Sequence, residues 1–174
     1  VAEHAGLLKG NLSYYFKTKA EMLDAVSHAR MEELFGRLMQ DLPSDASAAQ
    51  ALEKFLHVTE NSAEELARVG CPIGTLASQL GKSDPALQPY ASRILEAMQA
   101  WLKEQFLRLG PAKEAPARAE HLITLMQGAA VMAHAYRDPS VVHRQAAHAR
   151  QWLLSCGAGD TGQATPPPAG RKAV

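Results

Sequence analysis

The chain has 174 residues, 47% hydrophobic, 21% charged and 6% aromatic, the profile of one globular domain or two small ones with core enough to fold without metal or disulfide support. Its 18 basic and 18 acidic residues cancel, which excludes a global field drawing the molecule to nucleic acid or anionic lipid, so any such partner must meet a local patch. The two cysteines, Cys71 and Cys156, lack zinc-ligand spacing, which argues against a disulfide scaffold or metal knuckle and for a reducing, cytoplasmic setting.

The first stretch, "VAEHAGLLKGNLSYYFKTKAEML", meets the requirements of a helix-turn-helix in order. Ala2 is small where two helices cross, Gly6 can take a positive φ in the turn, and Leu12 anchors the second helix. That second helix is expected from Lys9 to Phe16, short enough for a major groove, with Lys9, Asn11, Ser13 and Tyr14 on its exposed side and within reach of base edges. Tyr15 and Lys19 are placed to donate to phosphate oxygens, which fix register without reading sequence.

A long helix is predicted over 19–42, carrying Met22, Leu23, Val26, Leu34, Leu38 and Leu42 mostly at helical spacing, with Arg30 interrupting the stripe. Thr18 and Glu21 form a T-x-x-E capping box at its start, and Pro43 with "PSDAS" stops it. A second amphipathic helix follows with Leu52, Phe55, Leu56, Ala63 and Leu66 on one side. "GCPIGTLASQLG" then predicts a break at Gly70, a short helix from Pro72 and another break at Gly81.

Asp84 and Pro85 read as N-cap and first position of a helix that keeps Leu87, Ala91, Ile94, Leu95, Met98, Leu102, Phe106 and Leu109 at gaps of three and four. Two further helices are expected, about 117–137 and 140–155, separated by "DPS". Residues 157–174, with "TPPPAG", have the composition of a disordered tail. No run alternates with β-branched enrichment, so the fold class is all-α, and the richest apolar run is too short and too polar to cross a bilayer.

The penultimate helix is apolar around most of its circumference, from Leu122 and Ile123 to Met132 and Tyr136. It must be covered on several sides. Gly128 and the alanines allow close approach, and a symmetric homodimer through the last two long helices satisfies that need.

The opening stretch resembles the second, third and fourth helices of the TetR family of bacterial transcriptional regulators, most specifically in its Lys-Gly, Tyr-Phe and following Lys positions. The resemblance covers about residues 1–30; the later helices fit the family by number, length and final pair. It implies a partial helix-turn-helix DNA-binding domain over 1–24, running into a connecting helix, and a helical effector-binding and dimerisation domain over 25–156. Tyr15 and Lys19 match the family's phosphate-contact positions, and Gly10, Asn11, Ser13 and Tyr14 its groove-facing ones.

Two departures matter. Leu8 stands where a Ser or Thr commonly caps the recognition helix, a loss of about 1 kcal/mol. The family's first helix would precede Val1, so the start at Val1 is expected to be a truncation or a mistaken start site.

Cys71, between Gly70 and Pro72, reads as the N-cap of its helix, where the dipole favours a thiolate. It also resembles the Gly-Cys of electrophile- and oxidant-sensing members of the family, beside the plainer reading of a small residue next to the pocket. Met98, Trp101, Phe106, Met126 and Met132 are candidates for an effector pocket, since adaptable Met and aromatic walls suit mixed apolar ligands. The adjacent pairs Glu32–Glu33 and Glu64–Glu65 read as solvated faces.

No nucleophile elbow, metalloprotease helix, P-loop or dinucleotide fingerprint is present, and the histidines lack ligand spacing, so neither an enzyme nor a metal or cofactor is expected. The expected function is ligand-responsive transcriptional regulation: a repressor that leaves its double-stranded DNA operator on meeting a small-molecule effector or thiol-reactive compound. The alternative is a helical dimer that binds a small molecule or protein without DNA.

Overall fold

The computed structural model describes residues 14–83 and 85–158. Lys9, Gly10, Asn11 and Ser13 lie outside them, as do Asp84 and the stretch from 159 onward. The described residues form seven α-helices: α1 (Lys19–Met39), α2 (Ala48–Asn61), α3 (Ala63–Val69), α4 (Pro72–Ser83), α5 (Gln88–Leu109), α6 (Ala115–Tyr136) and α7 (Ser140–Leu153). No strand occurs among them, in keeping with the all-α class read from the sequence.

α1 starts where Thr18 accepts the Glu21 amide at 3.1 Å. The reciprocal half of the expected capping box is displaced: the Glu21 carboxylate accepts from the amide of Lys17, at 2.7 Å, not from that of Thr18. Its buried face is Leu23, Ser27 and Leu38, whereas Val26, counted in the apolar stripe, is exposed. Ser27 takes the inward position because its hydroxyl has a partner there, the Tyr90 carbonyl of α5 at 3.0 Å. The helix ends at Met39, short of Leu42, and Asp41 turns the chain at φ 59°.

The single helix expected to carry Leu52 through Leu66 is two, parted at Ser62. Thr59 and Ser62 donate their hydroxyls to the Phe55 and Val58 carbonyls four residues back, an arrangement that bends helices. Ser47 closes a full capping box with Gln50 at the start of α2. The break predicted at Gly81 is absent, and α4 continues through it to Ser83. α5 begins later than expected, after a 3₁₀ turn over Pro85–Leu87. Pro89 has no amide to donate, so it fits only the first turn of a helix and holds the start at Gln88.

α6 packs between α5 and α7 around Ile94, Leu102, Phe106, Leu122 and Val142, all fully buried. Ala119, Ala133, Ala146 and Ala149, also fully buried, allow close approach of α6 and α7. α2 covers α5 and α7, α3 lies on α6, and α1 and α4 lie on α5. Arg150 of α7 clamps α2 by bonding both Glu53 and Glu60. A π turn, Leu154–Ala158, follows α7 and carries Gly157 at φ 103°, so the first two residues assigned to the tail are part of this turn. No helix among the described residues is long and apolar enough to cross a membrane.

Candidate functional site

A cavity of about 340 Å³ opens between α1 and the α2–α6 body. Its walls are apolar: Phe55 and Val58 of α2, Leu66 of α3, Ile73 of α4, Met98 of α5, and Ile123, Met126 and Ala130 of α6. The lining hydroxyls of Thr59 and Ser62 are spent on backbone carbonyls, which leaves Cys71 and Gln127 as the interior polar groups. Arg30, Glu33 and Arg37 of α1 and Glu65 of α3 also line the cavity and, being open to water, mark its mouth.

Of the sequence-derived pocket candidates, Cys71, Met98 and Met126 meet in this cavity. Trp101, one turn beyond Met98 on α5, does not line it and is half-buried against the core. Phe106 is fully buried, edge-on to Trp152 at 5.8 Å, and Met132 is 47% exposed on the opposite side of α6. The sequence pattern assigns Arg30, Glu33, Arg37 and Gln127 no place at a pocket. Their one signal was Arg30 breaking an apolar stripe three residues before Glu33, with Arg37 four residues after it. Glu33 and Glu65, read as solvated faces, stand at the cavity mouth.

The turn that presents Cys71 is built by Gly70, at φ +81°, where any side chain would be strained and would meet the His134 ring at 3.4 Å. Around it the last carbonyls of α3 are capped from α6: a His134 ring nitrogen lies 3.2 Å from the Ala67 oxygen, and Arg137 donates to Ala67 and Arg68. Cys71 then sits ahead of α4, where its Sγ accepts the Gly74 amide at 3.4 Å. At the rim, Glu33 accepts from Arg30 at 2.7 Å and from Arg37 at 2.5 Å. The bond and charge of Arg30 chiefly, then Arg37, hold the Glu33 carboxyl below its ordinary range. Among the described residues, no group of His, Cys, Asp or Glu is assembled to hold a metal ion.

At the other end of α1 lie the residues matched to DNA contacts. Tyr14 and Tyr15 are each 74% exposed, set edge to face at 5.4 Å, and the Lys17 ammonium stands 5.6 Å from the Tyr14 ring. Lys19 is exposed in the first turn of α1. Below them α1 is tied to α5 by the Ser27–Tyr90 bond and by the ion pair between Asp24 and Arg93.

A family model described as the transcriptional regulator LmrA/YxaF-like C-terminal domain, of the TetR class, matches residues 48–148. That span runs from the start of α2 nearly to the end of α7 and includes every wall of the cavity except α1. No curated protein matches the chain. The helical body and its cavity thus define the regulatory domain of a transcriptional regulator. With more than half of its length matched, the chain belongs to the TetR family.

Proposed function

We propose that this chain is a ligand-responsive, DNA-binding transcriptional repressor, released from a palindromic operator when a small molecule or thiol-reactive compound occupies the cavity. One observation carries the reading: α1 is both a wall of the cavity, through Arg30, Glu33, Leu34 and Arg37, and the helix whose first turn holds Lys19 next to exposed Tyr15. A ligand that moves α1 against α5 therefore moves the phosphate contacts. In a dimer such a shift changes the spacing of two recognition helices that must meet successive major grooves together.

The dimer itself is supported by α6. Val131, Met132 and Tyr136 are 65%, 47% and 66% exposed in the single chain, and a side chain added at Gly128 would find open space. A second copy packed on this face removes apolar area from water. Cys71, half-buried at the cavity, is the thiol through which an electrophile would act.

The test is to express the full-length protein, select its operator from random duplexes, and screen for compounds that release it. Operator release by cavity ligands, lost when Ala130→Trp fills the cavity, supports the proposal. Absence of any selected sequence favours a helical dimer that binds a small molecule or protein without DNA.

A further inference from the structure

The walls of the cavity and its mouth ask for different chemistry. Inside, recognition is mainly apolar, with Phe55, Ile73, Ile123 and Met126 offering contact area and Cys71 and Gln127 the interior polar groups. At the mouth one carboxylate, Glu33, is shared by two guanidiniums, Arg30 and Arg37. The second acidic residue there, Glu65, has its own cation in Arg68 at 3.8 Å. The α1 side of the rim therefore holds one positive charge more than it balances. Each guanidinium carries five N–H donors and uses one of them on Glu33.

These side chains are also easily rearranged. Arg30, Glu33 and Arg37 are 50%, 41% and 51% exposed, and helical ion pairs this open to water hold weakly. A carboxylate brought to the rim by an apolar body seated below would meet two forked donors of complementary shape. An ammonium there would face the uncompensated positive charge. A neutral head would leave the Glu33 bridge intact and take nothing from it.

We infer that the cavity is built for an amphiphilic anion, an apolar body lying against Phe55, Ile123 and Met126 with a carboxylate at the rim bound by Arg30 and Arg37 in competition with Glu33. This rests on the cavity being the effector site and adds the class of effector. Glu33 acts as an internal competitor that the ligand head displaces. Displacement opens an i, i+3 and i, i+4 ladder on the helix that begins at Lys19.

Titration calorimetry of the chain with decanoate, decanol and decylamine, each below its aggregation concentration, tests this. Decanoate is expected to bind roughly tenfold more tightly than decanol, with decylamine weakest, a margin in the range of a charge-assisted pairing at a partly exposed site. The margin should shrink in high salt, where exposed charges are screened. Arg30→Gln/Arg37→Gln, checked for unchanged helicity, should bring decanoate to the level of decanol. Glu33→Gln should tighten decanoate by about two- to fivefold, as expected for removal of a weak exposed competitor.

Equal or better binding of decanol or decylamine, a decanoate preference insensitive to salt, or no decanoate binding overturns the inference. Decanol binding that Ala130→Trp abolishes, with no preference for the anion, sinks this inference alone and leaves the cavity as effector site. Failure of operator selection with the full-length protein strikes the regulatory reading and leaves the ligand preference standing.

Discussion

Ser27 of α1 donates its hydroxyl to the Tyr90 carbonyl of α5 across 3.0 Å, and Ser27 is fully buried. The bond lies two turns along α1 from Lys19 and, on α5, two turns before Met98 at the cavity. A small polar residue in an apolar seam sets the depth at which α1 sits on α5. The neighbouring Asp24–Arg93 pair is more exposed and adds direction rather than much stability.

Ser27→Ala removes that donor while leaving the Tyr90 carbonyl within the first turn of its helix. The expected cost is about 1 kcal/mol, the usual net worth of one buried hydrogen bond, seen as a lower urea midpoint at constant slope. Ser27→Leu overfills the seam and is expected to cost more, about 1–3 kcal/mol. If both variants match the parent midpoint, α1 is not packed on α5 as described.

Glu60, with 16% of its side chain exposed, is bonded by Arg150 from α7, and that bond chiefly holds its carboxyl below the ordinary 4.5. The folded pKa lies below the unfolded one, so the pair's contribution is complete above pH ~4.5 and is lost as pH falls through the folded value. Arg150→Met should lower stability at neutral pH by roughly 1–2 kcal/mol, allowing for partial exposure. It should also flatten the decline below pH ~4. Parallel acid limbs for parent and variant in pH-dependent urea titrations would contradict the assignment.

How much of this was legible follows the physics of each signal. The runs through Leu102 and Phe106, and through Leu122 and Met126, announced α5 and α6 because the 3.6-residue period survives wherever a helix face is buried. The split at Ser62 was not legible, since Thr59 and Ser62 look like ordinary polar positions until their hydroxyls turn back to the carbonyls of Phe55 and Val58. Gly81 misled in the other direction: a lone glycine weakens a helix by about 1 kcal/mol without ending one that is packed on a neighbour. At the cavity, Cys71 was visible through its Gly and Pro neighbours and Met98 and Met126 through their chemistry. Arg30, Glu33 and Arg37 were hidden because a charged helix face normally faces water, and only the fold turns this one over an opening.

The two cysteines should separate cleanly on alkylation. Cys71 is half-buried at the cavity, with an amide hydrogen directed at its sulfur, whereas Cys156 is buried and burial pushes its thiol pKa up. Access favours Cys71, and burial holds Cys156 back as the protonated thiol. With limiting iodoacetamide at neutral pH, peptide mass spectrometry should show Cys71 modified first. Comparable labelling of Cys156 in the folded protein would mean that the turn after α7 opens readily.

On α6, inward and outward positions alternate with helical period: Met126, Ala129, Ala130 and Ala133 are buried, whereas Val131, Met132 and Tyr136 are exposed. A charge placed on the outward set costs little in an isolated chain, because those positions already meet water. In the dimer proposed through this face it would be buried against its own symmetry mate, so like charges would meet across the axis. Val131→Glu/Met132→Glu is therefore expected to halve the sedimentation mass, keep the helical circular dichroism of the folded chain, and make the urea midpoint independent of protein concentration, where the parent's rises with it. A parent that sediments as a monomer at micromolar concentration, or a doubly charged variant that remains a dimer, would place the pairing surface elsewhere on the helical body.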